Sequence, residues 1–377
     1  KPRHSDRLDM PRLQSRAASA EEYAELMGVK DEAAYAALFA AKARRARLYV
    51  AKAMGLDPRI APTESEGKVQ EDDVERMPAS HLAASPPAHF RERTNFRTLV
   101  EDDATTYVMF SQLAASSNRK RQQPVRVESF PRASHKIVEL MPLVKAACDR
   151  AAPLRHKLFE IRFHTTLRGG AMVLLLYNAP IGPDWLREAE VLRQSLPGDD
   201  NLVVGRSRKV QLVAPATAET AQVVETLRVT LTPPSAAEEE TVDLSYIQLE
   251  GEFSQPNARV CEKMLSWAVR VTAPDGGEKT RDLLELYCGN GNFTCALARN
   301  FRKVLATEVS KLNIKAARQN AERNGANNVK IARLSADEVV KAFAPNARTF
   351  TRLVEQGVFL DEYDAKTVLY FLLFQSP

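Results

Sequence analysis

A turn with two glycines joins an apolar strand to a predicted helix, and its residue types suit ligand binding. The segment 282–298 reads DLLELYCGNGNFTCALA. Gly289 and Gly291 let the backbone turn sharply and approach a ligand closely, while the start of the helix offers unpaired N–H groups. A tight connection without a ligand is the competing interpretation, and the turn alone does not exclude it.

The next strand supplies a carboxylate in register with this turn. It ends at Glu308 in LATEVSK, seventeen positions beyond Gly291, where a carboxylate can accept both ribose hydroxyls of an adenosyl group. The pattern lacks the third glycine of the dinucleotide fingerprint and a P-loop lysine. It therefore favours S-adenosylmethionine over NAD or ATP. Asp337 in LSADEVV could face the adenine, although an exposed helix-cap carboxylate is the favoured interpretation.

The elements that must position these groups alternate between helix and strand after residue 255. Strand-like RDLLELYC, KVLATEV and NVKIARL are separated by helical patterns such as KLNIKAARQNAERNG. Strands separated by helices of this length predict a parallel, doubly wound sheet whose ligand lies at the carboxyl ends of the strands. Upstream, EIRFHTTL, AMVLLLYN and NLVVGR are strand-like and interleave with helical patterns, which predicts an α+β domain.

Composition bounds the function classes. The 377 residues are 44% hydrophobic with a net charge of +5, which fits two domains plus an extension and permits an anionic partner. No apolar run is long enough to span a bilayer. The four cysteines form no C-x-x-C pair, so we expect neither a zinc site nor a disulfide framework, and a reducing compartment. The start at Lys1 rather than Met indicates a fragment.

Six segments together resemble the RNA uracil-5-methyltransferase family, specifically the tRNA enzymes that methylate the T-loop uridine. They are HFRERTNFR, RVESFPRAS, LRHKLFEI, EFSQPN, LLELYCGNGNF and ATEVSK, and the resemblance covers roughly 89–369. It implies an α/β fold with a Rossmann-like class I methyltransferase domain, preceded by an α+β RNA-binding domain and a helical N-terminal extension. The implied boundaries are 1–54 for the extension, 55–88 for a linker, 89–254 for the RNA-binding domain with a surface insertion near 214–241, and 255–377 for the methyltransferase domain.

The resemblance also assigns the cofactor site. Gln255 in FSQPN, Tyr287 and Asn292 in LYCGNGN, and Glu308 match the positions that contact S-adenosylmethionine in the family. Each has a structural alternative: Gln255 as a cap of the following helix, and Tyr287 as a core aromatic.

A tRNA partner is implied in the same way, and no membrane or metal partner is expected. Arg91, Arg93 and Arg97 alternate on a predicted strand, so they should project to one face where phosphates are neutralised. Residues 119–121 add a basic loop, and Phe159 could stack on a base. A solvated charged face and a buried strand aromatic are the alternatives. The cysteines lack the iron–sulfur spacing of the ribosomal branch, which favours tRNA over ribosomal RNA.

The implied chemistry needs a cysteine thiolate that adds to carbon 6 of a flipped uracil, methyl transfer to carbon 5, and a carboxylate base. In the family these groups follow an Asp-Pro-Pro-Arg turn and lie in a Ser-Cys-Asn-Pro turn. Here the fourth strand, AKTVL, runs into YFLLFQSP. We therefore expect a domain truncated after the fourth strand and an inactive chain, with Cys288 as a packing residue and no catalytic residue assigned.

Three functions follow from these observations. The first is S-adenosylmethionine-dependent tRNA uracil-5 methylation by a cytoplasmic monomer, with an organellar location left open. The second is a tRNA-binding or tRNA-folding protein without methyl transfer. The third, a small-molecule methyltransferase, is disfavoured by the long basic domain that precedes the cofactor motif.

Overall fold

In this computed structural model the described residues are 17, 33–42, 84–110, 124–207, 212–213, 221–232, 238–343 and 351–363. Residues 33–42, which lie within the predicted N-terminal extension, are helical. Most of the predicted linker, the basic loop 119–121 and the segment after 363 lie outside the described residues.

The first half of the chain forms a seven-stranded mixed sheet in the order β3-β2-β1-β4-β5-β6-β7. All neighbouring strands are antiparallel except β5 and β6. Its strands are β1 (Arg93–Glu101), β2 (Ala104–Met109), β3 (Val125–Arg126), β4 (Leu158–Thr165), β5 (Ala171–Tyr177), β6 (Asn201–Ser207) and β7 (Leu212–Val213). The three strand-like runs predicted in this region are confirmed as β4, β5 and β6.

One face of this sheet is covered by three helices: α1 (His135–Arg150), α2 (Ala152–Arg155) and α3 (Pro183–Ser195). Side chains such as Phe96, Ile161 and Tyr177 pack beneath them in one apolar core. Because side chains alternate along a strand, the opposite face carries the intervening polar residues of β1 and β4, including the paired Arg97 and Glu160. This second face lines a cleft beside the predicted cofactor motif.

Strands β8 (Gln222–Thr230) and β9 (Thr241–Leu249) form an antiparallel hairpin, where a surface insertion near 214–241 was predicted. That prediction is wrong for residues 222–230, which form β8, whereas residues 238–240 are exposed. Leu227 and Val229 of β8 are buried in the same core as the helix that follows the hairpin. Residues of β8 are alternately buried and accessible, so the hairpin has one covered face. That face packs against the helices and strands that follow it in the chain.

The part of the chain after residue 255, which carries the predicted cofactor motif, contains a parallel sheet of β10 (Leu283–Leu286), β11 (Val304–Glu308) and β12 (Val329–Arg333). Its helices are α4 (Ala258–Val271), α5 (Asn292–Leu297), α6 (Lys311–Arg323), α7 (Ala336–Ala342) and α8 (Thr351–Val354). The predicted helix–strand alternation and parallel pairing are confirmed, and the whole is a mixed α/β fold. The carboxyl ends of these strands lie together, which brings the turn after β10 beside the end of β11.

No helix in the described ranges is long and apolar enough to cross a membrane. Within those same ranges, no group of three or more His, Cys, Asp or Glu side chains is arranged to hold a metal ion.

Candidate functional site: a cofactor pocket beside a basic cleft

The turn after β10 adopts left-handed backbone conformations at three positions. Tyr287, Gly289 and Gly291 have φ values of 57°, 57° and 82°. A β-carbon on Gly291 would lie 3.4 Å from the β-carbon of Ala317, so a side chain there would meet both strain and a packed neighbour. Tyr287 adopts this conformation without being glycine, and strain of this kind is concentrated at functional sites.

Glu308 at the end of β11 is joined directly to this turn. Its carboxylate accepts a hydrogen bond of 3.0 Å from the N–H of Gly289, and further bonds of 2.7 and 2.9 Å from the N–H groups of Val309 and Ser310. The side chain is buried. Three backbone donors therefore hold a carboxylate at the sheet edge where an adenosyl ribose was predicted to bind.

The β8–β9 hairpin holds the turn from the other side. The side-chain amide of Asn290 donates to the carbonyl of Ile247 at 2.9 Å, and the hydroxyl of Tyr246 donates to the carbonyl of Asn292 at 2.9 Å. Asn320 of α6 donates to the carbonyl of Asn290 at 2.9 Å. These bonds fix the turn independently of any ligand.

Three of the four predicted cofactor residues line one pocket. Gln255, Tyr287 and Asn292 face it, and Glu308 adjoins it through Gly289. The enclosed space is about 40 Å³, within an open depression of about 480 Å³. The enclosed space is smaller than the roughly 300–1,000 Å³ of typical small-ligand clefts, so a ligand bound there would extend into the open part of the depression.

The structural alternatives for Gln255 and Tyr287 are not what the structure shows. The cap of α4 is Asn257, whose side chain accepts from the N–H of Val260, so Gln255 does not cap that helix. Tyr287 is 56% exposed and is therefore not a core aromatic. Asp337 is exposed in the first turn of α7, whose cap is Ser335, and it does not line the pocket.

All four cysteines are buried thiols. Burial raises the pKa of Cys148, Cys261 and Cys295 to about 12 and that of Cys288 well above its usual value. Cys261 borders the pocket, where the Asn292 amide donates to its sulfur at 3.2 Å. A nucleophile must be a thiolate near neutral pH, so none of the four has the environment of a reactive cysteine. Cys288 packs against Ala306 and Ile314, as predicted for a packing residue.

A larger cleft of about 660 Å³ adjoins the pocket on the second face of the seven-stranded sheet. Phe253 and Ser254 line both the pocket and the cleft. The cleft is otherwise lined by three arginines, two glutamates and several apolar side chains, among them Arg91, Arg93, Arg162, Glu250, Glu252, Phe163 and Leu174. Because the arginines outnumber the carboxylates, we call this space the basic cleft. The cleft and the cofactor pocket share the 253–254 segment as a common wall.

The structure places the residues predicted to contact RNA in different environments. Arg97 is 47% exposed, lies 3.2 Å from the carboxylate of Glu160 and stacks over Phe159 at 5.4 Å from the ring centre. Phe159 is partly buried against a small apolar cluster. Arg91 lies before β1 and is half-buried, so it is not on the predicted strand.

Arg93 departs from the prediction. Its guanidinium is partly buried at the wall of the basic cleft, where it donates to the carbonyl of Glu252 at 2.6 Å and to the hydroxyl of Ser254 at 3.0 Å. It shares a strand face with Arg97, as the alternation requires, but tertiary contacts occupy its guanidinium.

Sequence reasoning missed a row of alternating charges beside Arg97. Arg162 donates to Glu160 at 2.6 Å and to Glu250 at 3.2 Å, and Arg206 also pairs with Glu250. Both carboxylates are about 5% exposed, whereas the arginines are 31–47% exposed. The alternation of Glu160 and Arg162 in EIRFH was the available signal. The row holds three guanidinium groups in place and leaves part of each exposed to solvent.

Comparison with known proteins identifies the family to which the chain is similar. The profile of the tRNA (Uracil-5-)-methyltransferase family matches residues 73–371. A tRNA/tmRNA (uracil-C(5))-methyltransferase from Cellvibrio japonicus is 41% identical over 292 residues, which are 78% of this chain and 71% of that protein. One from Vibrio cholerae is 41% identical over 294 residues, covering 78% and 73%.

Among solved structures, the Pyrococcus abyssi tRNA (uracil-54, C5)-methyltransferase in complex with S-adenosyl-L-homocysteine is 16% identical. The match covers 75% of this chain and 66% of that one, with a TM-score of 0.48. The family profile and the relatives carry the assignment: the chain belongs to the tRNA (uracil-5-)-methyltransferase family.

Proposed function

We propose that the chain acts in methylation of carbon 5 of a T-loop uridine of tRNA. Family membership supports tRNA uracil-C5 methylation with S-adenosyl-L-methionine as the methyl donor. The observation that carries the proposal is the shared wall of Phe253 and Ser254 between the cofactor pocket and the basic cleft. A base that enters from the cleft would meet the methyl donor at this wall.

The polar groups around the pocket fit this cofactor. We assign Glu308 to the ribose hydroxyls, because its carboxylate is held at the strand end by three backbone donors. Gln255 and Asn292 offer side-chain amides, and Tyr287 offers an exposed ring at the pocket mouth. S-adenosylmethionine supplies an electrophilic methyl group when it is bound there. These four residues bind and orient that group.

RNA contact is assigned to the exposed side of the sheet face. Arg97, Arg162 and Arg206 have partly exposed guanidinium groups, and arginine suits phosphate recognition because it donates in a fixed fork. Phe159, stacked beneath Arg97, is assigned to a base of the loop. The target uridine must leave its stack to reach the pocket.

The chemistry of uracil also leads us to propose a covalent intermediate. Carbon 5 becomes nucleophilic when a thiolate adds to carbon 6, and the intermediate resolves when a base removes the carbon-5 proton and the thiolate leaves. Because all four cysteines are buried thiols with raised pKa values, we assign none of them this role.

Two measurements test the proposal. Labelled methyl groups from S-adenosylmethionine should appear in tRNA incubated with the protein purified from its native source, and not in tRNA whose T-loop uridine is replaced by cytidine. A 5-fluorouridine at that position should leave a covalent protein–RNA complex through a thiolate other than the four buried ones, because fluorine cannot be removed as a proton.

The second candidate is tRNA binding without methyl transfer, which the lack of a reactive thiol among the four cysteines favours. Tight tRNA binding with neither labelled methyl groups nor a trapped complex would support it and contradict the first proposal.

A further inference from the structure

The segment 252–256 separates the basic cleft from the cofactor pocket, and the start of β1 holds it on both sides. Arg93 donates to the carbonyl of Glu252 and to the hydroxyl of Ser254. The N–H of Glu92 donates to the carbonyl of Pro256 at 2.7 Å. Gln255, which lines the cofactor pocket, therefore lies between positions that are held by Glu92 and Arg93, two consecutive residues at the start of β1.

The environment of Arg93 suits a structural contact better than a phosphate contact. Burial lowers the pKa of its guanidinium, Glu250 opposes that shift, and Arg162 adds to it. Among the described residues it forms no ion pair within 4 Å, and its hydrogen bonds go to a backbone carbonyl and a hydroxyl. Arg97, four residues along the same strand, is 47% exposed instead. The two arginines share a face but differ in what they can reach.

The held segment is also connected to the ribose-binding side of the pocket. The carboxylate of Glu252 accepts from the hydroxyl of Ser310 at 3.0 Å and from the amide of Asn313 at 2.7 Å. The N–H of Ser310 in turn donates to Glu308. The contacts that begin at Arg93 therefore reach Gln255 through the backbone and Glu308 through Glu252 and Ser310.

We propose that Arg93 is a positioning residue of the cofactor site: it fixes the 252–256 segment and thereby places Gln255 and supports Glu308. This inference rests on the proposed cofactor site and replaces the phosphate-binding role predicted for Arg93 from sequence. Strand β1 carries both Arg93 and Arg97. The sheet face that we propose contacts RNA is therefore joined to the cofactor pocket through the contacts of Arg93.

The test compares Arg93→Gln and Arg93→Lys with Arg97→Ala as the matched control. S-adenosylhomocysteine binding is measured by calorimetry, and tRNA affinity is measured over a series of salt concentrations. Arg93→Gln should weaken S-adenosylhomocysteine binding about tenfold or more, while lysine, which retains the charge and one donor direction, should give an intermediate loss. The salt slope for tRNA should stay unchanged in both. Arg97→Ala should show the reverse pattern.

Hydrogen exchange of the Glu92 and Ser310 amides, which donate to Pro256 and Glu308, gives a readout that needs no ligand. These amides should exchange faster in Arg93→Gln and at the wild-type rate in Arg97→Ala. If Arg93→Gln unfolds, Ser254→Ala removes one acceptor without changing charge and should weaken S-adenosylhomocysteine binding about threefold.

Unchanged S-adenosylhomocysteine affinity with a reduced salt slope in Arg93→Gln would return Arg93 to the phosphate-binding role and overturn the inference. Unchanged exchange of the Glu92 and Ser310 amides would also overturn it. Failure of the wild-type protein to bind S-adenosylhomocysteine would instead count against the proposed cofactor site. The exchange rates would then show separately whether Arg93 holds the 252–256 segment.

Discussion

The carboxylate of Glu308 accepts a hydrogen bond of 3.0 Å from the N–H of Gly289, which joins the end of one parallel strand to the turn that follows its neighbour. The proposed ribose acceptor and the glycine turn are thus one hydrogen-bonded unit. The positive φ of Gly289 accompanies this arrangement. A change in either partner should therefore act on the whole pocket.

Replacing Glu308 by glutamine should weaken S-adenosylhomocysteine binding by about 10- to 100-fold. The reason is the loss of a charged acceptor, for which hydrogen bonds contribute about 1.5–3 kcal/mol. Calorimetry measures the change. Asp337→Asn is the control, because Asp337 is an exposed carboxylate in the first turn of α7. Equal losses in the two variants would remove Glu308 from the site.

Tyr287→Gly should weaken cofactor binding while leaving the free energy of unfolding within about 1 kcal/mol of wild type. Relief of the left-handed strain at φ 57°, of about 1–2 kcal/mol, is offset by the greater chain entropy of glycine, about 0.5–1 kcal/mol. Lys157→Gly is the matched control, because Lys157 is exposed with φ 58° in the turn before β4. Denaturant unfolding and calorimetry should show similar stability for both variants and a binding defect for Tyr287→Gly alone. A binding defect shared by both would contradict a role for the Tyr287 ring.

The part of the chain after residue 255 was predictable because its signals are local. Each strand ends in a turn whose residues are adjacent in sequence, so Gly289, Gly291 and Glu308 could be placed at one sheet edge by the rule for parallel sheets. The structure confirms that placement, with Gly289 and Glu308 in direct contact.

The hairpin and the direction of Arg93 were not predictable for physical reasons. Strand β8 alternates buried and accessible residues, but one buried position is Glu225, whose carboxyl group accepts from the N–H of Leu167 in the turn between β4 and β5. An acidic residue at a core position hides the alternation when its partner is unknown. Arg93 is likewise held by Glu252 and Ser254, about 160 positions away, so its local sequence carries no sign that it points inward.

Arg97→Ala and Arg162→Ala should each reduce the salt dependence of tRNA binding, with a change in slope of about 0.7–0.9 for each phosphate that the variant no longer neutralises. Arg187→Ala is the control, because Arg187 is exposed on α3, which covers the opposite sheet face. Binding curves at several salt concentrations give the slopes. The same slope in all three variants as in wild type would exclude this face as the RNA-binding surface.

Phe159→Leu should weaken binding of a T-arm RNA by about 1–3 kcal/mol if the ring stacks on a base. Leucine keeps an apolar side chain against the cluster that Phe159 joins, so the unfolding transition should change little. Phe130→Leu, in the core on the other face, should do the opposite, lowering stability without a specific loss of RNA affinity. RNA affinity equal to wild type in Phe159→Leu would make Phe159 a packing residue.

Glu285→Gln should change how stability depends on pH. Glu285 is buried in β10 beside the cofactor turn, and burial raises the pKa of its carboxyl to about 7, against a hydrogen bond from Thr294 that favours the charged form. The unfolded chain ionises near pH 4.5, so between pH 4.5 and 7 the folded state holds a proton that the unfolded state has released. The stabilisation is complete below pH 4.5 and is lost as pH rises through 7.

The difference in unfolding free energy between Glu285→Gln and wild type isolates this effect, because the other titrating groups are common to both proteins. It should shift in favour of the variant by up to about 3 kcal/mol between pH 4.5 and 8. Glu225→Gln is the comparison: burial raises the pKa of Glu225 to about 8, so its shift should extend to higher pH. Urea unfolding at pH 4.5, 6, 7 and 8 measures both. Curves for Glu285→Gln that run parallel to wild type over this range would mean that Glu285 ionises without a folding penalty, and that the apolar surroundings of β10 do not hold its proton.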